Sequence, residues 1–252
     1  MTATDVVAAL DLPTAARVDR RVPKTLLLQH GAPTTADKRR LSDGIEQLTW
    51  VAALKPNTAG VAAYRDDERE YLEIAVLQLT LRPTAKLSRL TELVHRAVPY
   101  PLLVVTALGD RIHVSVAHKR WSLGEAGKTV LDGMMVAVDS SMLGDGAREV
   151  AFLAALAFGR QPRGSLLTVY QGWMDTLLAL LAARRTGAFT TTLSADRLAA
   201  RRDALRECEI LEAAMAQLRA AAAAEQQTAR LVTLNLELKR LQAEWTLALA
   251  NL

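Results

Sequence analysis

A chain of 252 residues, half of them hydrophobic and 23 % charged, with Gly 13 and Pro 8, has the composition of a packed protein and excludes low-complexity disorder and a collagen repeat. Its single cysteine, Cys208, excludes an internal disulfide or a cysteine-built zinc site and points to a reducing compartment. A formal charge of +4 and a pI near 9.4 leave room for a nucleic-acid partner.

The first predicted element starts near Thr35, where a hydroxyl cap precedes Leu41, Ile45 and Leu48 at helical spacing, giving a helix over 36–50. Lys55-Pro56-Asn57 interrupts the pattern, because proline lacks an amide proton and restricts the residue before it. Past the acidic Asp66 to Glu70 turn, Tyr71 to Leu81 reads as a strand. Pro83-Thr84 opens a helix over 85–97 with Leu87, Leu90, Val94 and Ala97 on one stripe, ended before Pro99. Leu102 to Leu108, the Gly109-Asp110 turn and Arg111 to His118 predict a hairpin, and Met134 to Val138 a further strand. Residues 1–143 therefore read as an α+β head domain, a small antiparallel sheet covered by helices on one side.

A helical connector over 144–193 follows, with helices at Arg148 to Phe158 and Ser165 to Arg185 and a left-handed stop at Gly187. From Ser194 to Leu252 there is neither Gly nor Pro, and strong helix formers dominate, so the C-terminal half ends in a long coiled-coil-like arm over 194–252. One apolar seam runs Cys208, Leu211, Met215, Leu218 and Ala222; a second runs Leu231, Leu234, Leu238, Leu241 and Trp245, out of phase across Ala220 to Ala224. Two forms satisfy this: a single helix about 88 Å long at about 1.5 Å per residue, or a helical hairpin. The second seam, Leu231, Leu234, Leu238, Leu241 and Trp245, is the candidate partner-binding ridge, for another protein or for a second copy. Met1 to Leu10 lacks the pattern of a secretory signal, and the longest apolar run, Val150 to Phe158, falls short of the about 20 residues that cross a bilayer. A soluble cytoplasmic protein with no membrane partner is the expectation.

The basic excess is N-terminal, +3 over 1–65 and +5 over 82–122, against −4 over 66–81. Arg20, Arg21, Lys24, Lys38, Arg39, Arg40, Lys119 and Arg120 are the candidate nucleic-acid contacts, although an ordinary solvated face produces the same clusters. Among the histidines, His30, His95, His113 and His118, the last two stand five apart on one strand, which sends them to opposite faces and keeps them from sharing a metal. Asp66, Asp67, Glu70 and Glu73 suggest a metal-dependent nuclease, but Ala75 and Gln78 stand where its lysine belongs. Gly124-Glu125-Ala126-Gly127-Lys128-Thr129 ends like a phosphate-binding loop yet lacks the required glycine spacing. No catalytic residue, metal or cofactor is assigned.

Several ordered motifs carry a family resemblance: Leu12-Pro13, Arg21-Val22-Pro23-Lys24, Ile45 and Trp50 with Leu54-Lys55-Pro56, Val98-Pro99-Tyr100-Pro101, Ala117-His118-Lys119, and Leu234-Asn235-Leu236-Glu237-Leu238-Lys239. The chain resembles the bacterial family of the domain of unknown function DUF4391 over nearly its whole length. That resemblance implies a genomic setting beside helicases and DNA methyltransferases in restriction-like antiviral islands, and it carries over no catalytic residue. The resulting expectation is a non-catalytic accessory subunit of a phage-defence complex, its arm docked on a helicase or DNA methyltransferase and its basic head near DNA. A metal-dependent DNA nuclease and a self-associating nucleic-acid binder are the alternatives.

Overall fold

The computed structural model describes residues 1–30, 34–125, 127–144, 146–191 and 194–252. Ala126 of the Gly-Lys-Thr loop, the side chain of His30, Asp145, and Thr192 and Leu193 of the connector lie outside the described residues. Contacts divide the chain into two compact units, Met1–Leu177 and Leu178–Leu252. The boundary falls inside the 144–193 segment.

The first unit opens with α1 (Ala3–Ala9), started by a capping box in which Thr2 and Asp5 satisfy each other's backbone amides. The edge strand β1 (Arg17–Arg21) and α2 (Thr25–His30) follow. Next comes α3 (Thr35–Gly44), capped by Thr34, whose hydroxyl accepts the Asp37 N–H. Here the structure corrects the helix expected over 36–50: α3 stops at Gly44, and Ile45–Leu54 is strand β2. Leu41, Ile45 and Leu48 all enter one core cluster, so a helical turn running into a strand meets the same spacing that a continuous helix would. Pairing decides the matter, because β2 makes ladders on both sides, Thr49 with Arg21 of β1 and Leu54 with Ile74 of the next central strand.

After α4 (Pro56–Ala59) and the small β3 (Tyr64–Arg65) and β4 (Glu70–Tyr71) pair come β5 (Ile74–Leu81), α5 (Leu87–Ala97), β6 (Leu102–Leu108), β7 (Arg111–Trp121) and β8 (Thr129–Asp139). The six-stranded sheet has the order β1-β2-β5-β6-β7-β8 and is antiparallel except between β5 and β6, which α5 connects as a crossover. Gly109 takes φ 61° in the β6–β7 turn, a left-handed geometry that glycine adopts without strain.

Helices cover both faces of this sheet rather than the one expected. Leu77, Leu79, Leu102 and Val104 pack with Leu41, Leu90, Leu93 and Val94 of α3 and α5. On the opposite face Val76, Leu103, Val105 and Val116 are fully buried as well. The uninterrupted Leu102-Leu103-Val104-Val105 run is the sign of a strand buried on both sides. That second face meets α1, which lies beside β6, and α7 (Leu166–Thr186), whose Tyr170 reaches β6 and β7; α6 (Gly146–Leu156) packs beside α1. By length and composition α7 could cross a bilayer, but 67 % of its apolar window is buried inside the protein, the position of a core helix.

The second unit contains the end of α7, α8 (Ala195–Ala224) and α9 (Thr228–Leu249). Ser194 caps α8, and Glu225 turns extended at ψ 131°, so the chain folds back as a hairpin instead of one continuous arm. Cys208, Leu211 and Ala248 form its core, with Leu241, Trp245, Leu249 and Leu252 packed around them.

Candidate functional site

Strand alternation separates the basic residues that the sequence sets side by side. Lys119, on the α5 face of β7, is 3 % exposed, and its ammonium donates to the carbonyls of His95, at 2.6 Å, and Val98 at the end of that helix. It is therefore removed from the candidate nucleic-acid contacts. Burial pushes Lys119 down to about 7, while the carbonyls it binds and the negative end of the helix favour its charged form. Arg120 points to the other face, half-buried beside Asp132 at 3.8 Å. Lys24 is likewise spent internally, donating to Ser42 O at 2.8 Å and Ile45 O at 2.7 Å. Arg40 pairs with Asp37 at 3.0 Å and Arg39 with Asp43 at 3.4 Å. Arg20 and Arg21 on the β1 edge and Lys38 on α3 are exposed and make no ion pair among the described residues.

The acidic segment disperses. Asp66 accepts the Tyr64 hydroxyl at 2.7 Å and the Arg69 N–H at 2.7 Å, holding the β3–β4 turn. Glu70 pairs with Arg65, and Glu73 is buried against Lys55 at 3.1 Å. Among the described residues no group of three histidine, cysteine or carboxylate side chains is placed to hold a metal.

One partly buried polar cluster is assembled only by the fold. Tyr71, His118 and Tyr170 pack with ring centroids 6.0, 5.7 and 5.4 Å apart. The Asp175 carboxylate only accepts, so Gln171 turns its amide nitrogen to it at 2.9 Å and its oxygen to His118 Nε2, also at 2.9 Å. With the Gln171 oxygen accepting, His118 Nε2 donates to it, and Nδ1 lies in hydrogen-bond contact with the Tyr71 hydroxyl. Burial holds the Tyr71 phenol protonated, well above its ordinary range. Tyr170 bridges the β6–β7 ladder, donating to Leu102 O at 2.7 Å and accepting the Ala117 N–H at 2.8 Å. His113 and His118 do lie on opposite faces. His95, wholly buried on the sheet-facing side of α5 and 3.0 Å from the Ser115 hydroxyl, is driven down to about 3 by desolvation, reinforced by Lys119. The only sequence trace of the cluster is the Ala117-His118-Lys119 motif, and its partners stand 47 and 53 residues away.

In the second unit Leu231, Leu234, Leu238, Leu241 and Trp245 share a half-buried face of α9. Trp245 donates its indole N–H to Glu212 at 3.1 Å, and Arg185 grips the same carboxylate at 2.9 and 2.8 Å. Cys208 is a buried thiol, its pKa raised by burial. From Ala216 to Leu247 no residue is buried, although Val232, Leu236 and Leu247 are large and apolar, at 54, 65 and 71 % exposure.

The family model of the domain of unknown function DUF4391 matches residues 10–244. The chain belongs to this family. The match takes in the α+β unit after α1 and nearly all of the hairpin, so the family spans both units rather than the head alone. No curated protein and no solved structure matches the chain.

Proposed function

We propose that this DUF4391 protein is a non-catalytic accessory subunit of a bacterial phage-defence complex, docking through its C-terminal hairpin on a DNA helicase or methyltransferase with its head near DNA. One observation carries the reading: the hairpin holds a leucine ridge and exposed Val232, Leu236 and Leu247, yet nothing from Ala216 to Leu247 is buried. Two helices alone bury little, and Val232 and Leu236 stand one turn apart on α9, the spacing at which exposed apolar side chains offer a partner helix one face. Arg20, Arg21, Lys38 and Arg39 supply the exposed cationic surface of the head.

Co-expression with any DNA helicase or DNA methyltransferase encoded beside the gene tests this. The expected result is a stoichiometric complex with one of them that survives gel filtration and is lost when 216–247 is replaced by a polar helical hairpin. A chain that elutes alone at micromolar concentration with each neighbour overturns the reading, and a stable homodimer in its place moves the ridge to self-association. DNA binding by the head predicts a salt slope that falls by about 1 for each phosphate-contacting arginine removed.

A further inference from the structure

A cavity of about 270 Å³ opens between α8 and α9, lined by Glu212, Met215, Arg219, Gln242 and Trp245. It is smaller than the about 300–1,000 Å³ of small-molecule sites and suits one large side chain. Its aromatic wall is held in place: the Trp245 indole is tied to Glu212, which Arg185 clamps through two hydrogen bonds. Rings fixed in this way beside a partly open pocket are the features on which interface binding energy concentrates. The charges are unequal. Glu212 is compensated by Arg185, whereas Arg219, exposed on the rim, makes no ion pair among the described residues. A guanidinium with no ion-pair partner among the described residues, a neutral amide at Gln242 and an apolar floor at Met215 together favour a carboxylate next to an aliphatic group.

We infer that this notch receives an aliphatic side chain of a partner protein flanked by an Asp or Glu carboxylate, the aliphatic group lying against Trp245 and Met215 and the carboxylate meeting Arg219. The inference rests on the docking reading of the hairpin and adds the chemistry of the segment that docks. A partner helix with basic residues around its anchor is disfavoured by the same charge.

The test uses the full chain labelled with 5-fluorotryptophan, the Trp245 fluorine resonance being assigned with Trp245→Phe. Two end-blocked helical peptides with identical leucine spacing serve as probes, one with glutamates flanking the central leucine and one with lysines. The glutamate peptide should shift the Trp245 signal saturably and bind at least about tenfold more tightly than the lysine peptide. Arg219→Glu, a substitution on an exposed side chain, should reverse that order. A Trp245 signal that neither peptide moves, or that both move equally, overturns the inference. Because co-purification with the neighbouring proteins is read separately, a silent Trp245 alongside an intact complex sinks the notch and spares the docking arm. A peptide response without any complex does the opposite.

Discussion

Arg89 closes two hydrogen bonds on Asp37, Nη2 to Oδ2 at 2.8 Å and Nε to Oδ1 at 3.1 Å, and so fastens α5 to α3 over the core they share. These bonds, helped by Thr34 and Arg40, hold the Asp37 carboxyl down at about 2. Its folded pKa lies below the unfolded value of about 3.9, so the stabilisation is complete above about pH 4 and is lost as pH falls through about 2. Asp37→Asn should lower the melting temperature at neutral pH and flatten the decline between pH 4 and 2. Circular dichroism melts across that range check it, and equal acid slopes in the two proteins refute it.

The Tyr170 hydroxyl satisfies a carbonyl and an amide on two paired strands inside the buried core. Tyr170→Phe leaves those groups short of a partner and should cost about 1–3 kcal/mol. Urea unfolding should show a lower midpoint at an unchanged slope.

Lys119 titrates near 7 in the fold, below its ordinary value of 10.5, because burial disfavours the ammonium. Between about pH 7 and pH 10.5 the unfolded chain binds more protons than the folded one, so stability climbs with pH across that window and is level below it. Lys119→Met should remove most of that climb. It should also leave any DNA affinity of the head unchanged, since the side chain never reaches the surface.

Leu236 is 65 % exposed on α9, so Leu236→Glu should alter stability by no more than about 0.5 kcal/mol. Partner affinity should fall at least about tenfold. Isothermal titration of the purified complex components reads both the loss and the preserved stoichiometry.

Local pattern was enough wherever an element answered to its own residues. The α5 stripe, the β6–β7 hairpin around Gly109, the core helix α7 and the two seams of the C-terminal hairpin were all legible, because each has a buried or half-buried face written at its own period. Short pieces were not. Seven residues in α1 and five in β1 are too few for a period to show, and they exist through their neighbours: α1 through the sheet it lies on, β1 through pairing with β2.

What the sequence by itself determined was therefore an α+β head, a helical C-terminal half and a chain-wide family membership, since periodicity, caps and ordered motifs are properties of neighbouring residues. Tertiary structure alone decided that Ile45–Leu54 is a strand, that Lys119 is buried while Arg120 is not, and that Tyr71, His118, Gln171 and Asp175 meet. Ladder partners and covering helices come from residues far along the chain. A strand sends adjacent side chains to opposite faces, and only the packing of α5 and α7 determines what each face meets.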